Sequence, residues 1–359
     1  MGNEIAEKMQ GSSVADHLPG RYADPMCARK SRVAVAIVIL TLIGVSSAMS
    51  ETLQGTDWVC VNKQAPWQAR DSAGEFVCND HLWILGGWFD AHKPNPRDVW
   101  KSPDGKQWTR VTEVAPWEYS DLSPAMVFRN NMWFMGGRRL PGAENSNEVW
   151  SSVNGADWVL ETKHAGWCPR VASSFAVFRD RMWVLGGTES FYDHSDAMVR
   201  NDVWSSEDGR QWKLEVANAP WSQRAHAQSV VFNDKLWIMG GGLWHPEHVA
   251  VNDVWCSEDG VNWTQVTDAA PWQPRLWFSL VVYRDRIWAL GGWSKENGNF
   301  GDVWFTKDGK NWTELKSNVK WTNRHEHSTM VFQDKIWVMG GYAAILNSEV
   351  WTLELPEGW

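Results

Sequence analysis

Apolar positions in this chain come in short runs separated by turn-forming residues. Past the first fifty residues, none is long enough to read as a helix. The stretch 202–240 sets the pattern, with DVWSS (202–206), QWKLEV (211–216), SVVF (229–232) and KLWIMG (235–240), bounded by Gly, Asn or Asp. Runs of that length with such boundaries read as strands. The connections EDGR (207–210) and FNDK (232–235) read as tight turns between antiparallel neighbours, because Asn and Asp-Gly tolerate positive φ.

This four-strand unit recurs. A Gly-Gly pair closes an apolar run at 86–87, 136–137, 186–187, 240–241, 291–292 and 340–341, with spacings of 50, 50, 54, 51 and 49. Each pair is followed by a variable stretch and then by Asp or Glu with Val-Trp. Variants of S-x-D-G-x-x-W and a Pro-Trp corner come next, as in SEDGVNW (257–263). A four-stranded unit of about fifty residues repeated radially is a propeller blade. The sixth unit ends at SEVWTLEL (348–355) without an outer strand, whereas DWVCV (57–61) precedes the first unit as an orphan. Pairing the two closes the ring and removes an exposed edge. The expected fold is therefore all-β, a six-bladed propeller sealed by its N-terminal outer strand.

The Gly-Gly pairs, the Asp-Val-Trp element, the second Trp eight residues later and an Arg near the next unit's start resemble the kelch family over roughly residues 55–355. Trp83, Trp133, Trp183, Trp237, Trp288 and Trp337 stand where kelch repeats often carry tyrosine. The S-x-D-G-x-x-W turn is also similar to the Asp-box of sialidases, one residue shortened.

The formal net charge of −9 argues against nucleic-acid backbones, which are bound by clustered Lys and Arg. Arg29, Lys30 and Arg32 precede an apolar run from Val33 to Val45 and the small residues Ser46 to Ser50. These are the parts of a secretory signal, with Met26 a natural start and cleavage after Ala48 or Ser50. An uncleaved anchor is the alternative, and the only expected membrane association. Residues 1–50 are thus read as signal or anchor and 51–359 as the propeller. The location expected is secreted or periplasmic, or membrane-anchored with the propeller on the non-cytoplasmic side. Cys60, Cys78, Cys168 and Cys256 occupy unrelated positions of the repeat, so no disulfide framework is expected.

Of 29 tryptophans, 24 fall at four recurring positions and serve packing that every blade needs. Trp88, Trp244, Trp277, Trp293 and Trp359 break the pattern. Trp359 reads as a frayed end. The other four lie in loops on one face, or where the innermost strands begin, which is where binding is usually built on a rigid scaffold. After Gly-Gly the residue is Trp88, Arg138, Thr188, Gly242, Trp293 and Tyr342 in blades one to six. Trp293, Tyr342 and Trp88 should form an aromatic arc extended by Trp277 and Trp244. Blade two adds Arg138 and Arg139, and blade three the longest loop, 188–201.

A second candidate set is W-x-x-R, giving Arg70, Arg170, Arg224, Arg275 and Arg324, with Ser120 in blade two. These arginines either ring the channel mouth, ready for a carboxylate or phosphate, or join adjacent blades. The positions after them vary, among them Asp71, Asp121, His226 and Trp277. In His325-Glu326-His327, strand alternation puts the two histidines on one side and Glu326 on the other. With His226 the one further candidate ligand, no metal site is expected, nor any cofactor.

Two functions stay open. One is a non-enzymatic, monomeric binding module that recognises a glycan or an extracellular protein through its long-loop face. The other follows from resemblance to exported six-bladed kelch proteins, which include N-acetylneuraminate epimerases. It implies a sialic-acid mutarotase with Glu326 as acid–base group and Arg324 or Arg275 binding the carboxylate. No Phe/Tyr-Arg-Ile-Pro element supports a sialidase.

Overall fold

The computed structural model describes residues 50–191, 198–245 and 247–359. Residues 1–49, which carry the signal or anchor reading, lie outside the described residues, as do 192–197 of the longest loop. In each blade the first two strands are joined by two residues in the left-handed region, such as Asn79 and Asp80 (φ 48° and 53°) or Asn233 and Asp234 (φ 49° and 56°). Their twist suits antiparallel neighbours, so the turn chemistry sets the register. The Asp-Gly connection is built differently. Ser206 Oγ accepts the N–H groups of Asp208 and Gly209, while Asp208 Oδ1 accepts those of Arg210 and Gln211. It is a turn held by side chains rather than a two-residue hairpin.

Blade four runs from the channel outward through Gln228–Phe232, Lys235–Met239, Val254–Ser257 and Trp263–Thr267. The innermost strand of each blade packs against the next around the ring, and blade six against blade one. The orphan strand, Val59–Asn62, pairs antiparallel with Val350–Leu353 and completes blade six. One further strand carries no apolar signal in the sequence. Ser50–Gln54 pairs in parallel with Trp312–Lys316 on the outer edge of blade five, so that sheet has five strands. The described cysteines, Cys60, Cys78, Cys168 and Cys256, are free thiols.

The tryptophan lattice has a consistent construction. Each corner Trp meets the outer-strand Trp of a neighbouring blade edge-on, from Trp117–Trp158 at 5.9 Å to Trp221–Trp263 at 6.1 Å. The Trp before Gly-Gly donates its indole N–H to the carbonyl five residues earlier, and the Trp of Asp/Glu-Val-Trp donates to the carboxylate two residues earlier. The ring before Gly-Gly in blades one to four and six also lies on the Asp-Gly turn of the next blade, Asn-Gly in blade two. A Cβ added at Gly155 would sit 2.4 Å from Trp83, so only glycine lets the two blades close.

Blade six lacks that turn, which leaves Trp288 of blade five without its glycine cover. Trp359 takes the place: its ring stacks on Trp288 at 5.6 Å and meets Phe305 at 5.1 Å, with Arg286 over its face at 4.8 Å. The expectation of a frayed end at Trp359 is therefore corrected. Trp359→Ala should lower stability by about 2 kcal/mol through lost stacking and burial. Urea unfolding of the variant checks this; an unmoved midpoint would make the stacking incidental.

Candidate functional site

The W-x-x-R arginines are drawn into the blades rather than toward the mouth. Arg224 Nη1 donates to the Gly240 carbonyl and to Asp253 at 2.6 Å, while Nη2 donates to the other Asp253 oxygen at 2.8 Å. Arg70 with Asp98, Arg170 with Asp202 and Arg275 with Asp302 repeat this fork. Arg324 bonds Gly340, Asn347 and Glu349. Each guanidinium is buried and crosses the first three strands of its own blade, so these groups are committed within blades rather than between them. None of the five lines the cavity described next. The aspartate each arginine needs is the one in Asp-Val-Trp, some thirty residues downstream, beyond any local pattern.

The residue two places after each arginine position adopts a left-handed conformation. Ser72, Leu122, Ala172, His226, Trp277 and Glu326 have φ between 49° and 58°. The residue before it bridges to the post-glycine residue, as Asp71 does to Trp88, Asp121 to Arg138 and His325 to Tyr342. Backbone bonds link successive left-handed residues: Ser72 N to Glu326 O at 3.2 Å, and Glu326 N to Trp277 O at 3.0 Å. These residues form a ring at the channel mouth. The left-handed φ at Glu326 breaks strand alternation, so the expected orientation of His325-Glu326-His327 is corrected. His325 and Glu326 line one cavity together, with Nε2 and Oε2 3.9 Å apart. His327 instead faces the central channel and packs on Trp321 at 5.3 Å.

The cavity, of about 280 Å3, lies at this mouth. Trp88, Trp244, Trp277, Trp293 and Tyr342 all line it, and so does Arg138. One wall is continuous: Trp244 is 5.3 Å from Trp293 and 4.7 Å from Trp277, Trp277 stacks on His325 at 5.2 Å, and His325 is 5.4 Å from Tyr342. Phe191 lines the opposite side with the Arg138 guanidinium 4.0 Å over its ring. His226 lies in the channel, 4.9 Å from Trp277, and does not line this cavity. Sequence reasoning passed over Phe191, because its role depends on a contact with Arg138 of blade two that no local pattern signals.

The acidic lining of the cavity comprises Asp71, Asp121 and Glu326 around Ser72. Arg138 donates through Nε at 2.8 Å and Nη2 at 2.5 Å to Asp121 Oδ2, and this pair is buried. Burial pushes Asp121 upward while Arg138 pulls it back, and the carboxyl ends above its ordinary value. Burial, reinforced by the charge of Asp121, raises Glu326 to about 8. Burial, with Glu326 and then Asp121, holds Asp71 well above the carboxylate range. Burial lowers His325 to about 4, so its imidazole is neutral at pH 7. Glu326 thus keeps its proton at pH 7, Asp71 is biased the same way, and a protonated carboxyl can both donate and accept hydrogen bonds. Among the described residues no group of His, Cys, Asp or Glu is arranged to hold a metal ion.

A family model described as the KLHDC2/KLHL20/DRC7 Kelch-repeats domain matches residues 72–292, more than half the chain. The chain belongs to this kelch-repeat family. No match was found among curated proteins. Kelch propellers are typically binding scaffolds, and the Gly-Gly and Asp-Val-Trp elements serve the scaffold here. The matched span covers blades one to four and the first two strands of blade five, whereas Arg324, His325, Glu326 and Tyr342 lie beyond it. The acidic side of this kelch cavity therefore joins a residue of blade six, Glu326, to Asp71 of blade one across the closure of the ring.

Proposed function

We propose that this kelch propeller is a non-enzymatic binding module that takes one saccharide residue of a glycan in the mouth cavity, outside the cell. The observation that carries this reading is the aromatic wall from Trp244 to Tyr342 beside carboxyl groups that can donate and accept hydrogen bonds. Rings cover the apolar C–H face of a sugar, and the carboxyls meet its hydroxyls. The volume, about 280 Å3, falls just below the roughly 300–1,000 Å3 of ligand pockets and suits one residue rather than a chain. The exported location rests on the basic-apolar-small pattern at residues 29–50.

Trp88→Ala and Trp293→Ala should each weaken glycan binding about tenfold while leaving the fold intact. A glycan array followed by calorimetry checks it. Full affinity in both variants, or no glycan bound by the wild type, would reject the reading.

A mutarotase is the second reading, favoured by Glu326 holding a proton at neutral pH inside the cavity. Arg324 and Arg275 are occupied by acidic partners and do not line the cavity; Arg138 does line it, but as the partner of Asp121, which a substrate carboxylate would have to share. Anomer exchange of sialic acid followed by NMR, with Glu326→Gln as control, separates the two readings.

A further inference from the structure

The two halves of the cavity differ in charge. On one side Arg138 lies between the Asp121 carboxylate and the Phe191 ring, so one cation meets a buried acid and an aromatic face together. On the other side Asp71 and Glu326 share the cavity with Trp88, Trp277 and Tyr342, but no ion pair joins a described Lys or Arg to either carboxyl. Asp71 is only 4% exposed, and among the described residues the side chain that donates to its carboxyl is Ser72, through a long hydrogen bond of 3.4 Å from Oγ. The nearest basic group to Glu326 is the His325 imidazole at 3.9 Å, which burial keeps neutral. Trp277, 7% exposed, also lines this half, and its Nε1 has no hydrogen-bond partner among the described residues.

We propose that a protonated amine of the ligand completes this half, seated between Asp71 and Glu326 against the aromatic wall. On the saccharide reading above, on which this rests, the ligand is then an amino sugar with a free amine. Three effects favour it. A cation is attracted to the faces of tryptophan and tyrosine, more strongly once desolvated. Its charge offsets the repulsion that Asp71 and Glu326 meet on ionising side by side, so the two release their protons as it binds. Its bonds to carboxylates are charge-assisted. An anionic sugar would instead meet Asp71, Glu326 and Asp121, with Arg138 already bonded to Asp121.

The test is calorimetric titration of the propeller at pH 7 with four probes. These are a glucosamine oligosaccharide, its N-acetylated counterpart, N-acetylneuraminic acid and tetralysine. The glucosamine oligosaccharide should bind at least about tenfold more tightly than the acetylated one. That preference should disappear in an Asp71→Asn, Glu326→Gln double variant whose circular dichroism matches wild type. Equal or tighter binding of the acetylated or sialic probe overturns the amine while leaving the saccharide reading intact. Binding of tetralysine but of neither neutral nor amino sugar keeps the amine and rejects the saccharide. No binding by any probe overturns both.

Discussion

Replacing Arg275 with alanine should destabilise the propeller by about 3–5 kcal/mol, the range for removing one partner of a buried ion pair. The Arg275 side chain is fully buried, and its guanidinium holds both oxygens of Asp302 at 2.6 Å and 2.8 Å as well as the Gly291 carbonyl. Without it, Asp302 and that carbonyl lose their donors together, and three strands of blade five lose their cross-tie. Arg275→Lys keeps the charge but not the planar fork, so it should restore only part of the loss. Urea unfolding of both variants measures this, and an alanine variant within about 1 kcal/mol of wild type would contradict it. The same pairs set the acid limit of stability. Burial pushes Asp302 upward, but the charge and hydrogen bonds of Arg275, with the Trp304 N–H, outweigh it and leave the carboxyl below its ordinary value. Asp98 is lowered in the same way by Arg70 and Trp100. Their contribution is present above the unfolded pKa of about 3.9 and is lost as pH falls through the lower folded value, so unfolding should set in below about pH 4.

Glu326→Gln should have the opposite sign, stabilising the protein on the alkaline side. The folded carboxyl titrates at about 8, against about 4.3 in an unfolded chain. Its favourable contribution is complete below the unfolded value and disappears as pH rises through the folded one. Wild type should therefore lose stability between about pH 5 and 8, where the folded state binds more protons than the unfolded state. Glutamine cannot ionise and relieves Asp71 of its neighbour, so the variant should be more stable at pH 8 by a few kcal/mol. Its slope should be shallower by up to about 1.4 kcal/mol per pH unit. Glu75, raised to about 8 by burial, keeps part of the slope in both proteins. Unfolding curves at pH 5, 6, 7 and 8 decide the matter; parallel slopes would mean that Glu326 is already ionised in the folded state. If the variant is more stable and yet binds no ligand, the acidic half of the cavity is held against the preference of the fold, as functional sites commonly are.

The blade count, the turn positions, the closure by residues 57–61 and the division of tryptophans between lattice and exceptions are all legible in the chain before it folds. These follow from local physics repeated six times: apolar runs of strand length, residues that tolerate positive φ, and glycine where a neighbouring indole leaves no room. The aromatic arc was legible for the same reason, since a position that varies within a strict repeat is one the scaffold does not need. Three matters were left to the tertiary structure. The arginine at each strand entry has no local partner, and only folding brings the Asp-Val-Trp carboxylate to it. Trp359 is the last residue of the chain, yet it covers Trp288 because blade six lacks the turn that covers every other such ring. Glu326 reads as facing away from His325 by alternation, but the backbone ring at the mouth forces it left-handed. That one torsion brings it into the same cavity as Asp71 from the far end of the chain, where both carboxyls are buried beside an aromatic wall.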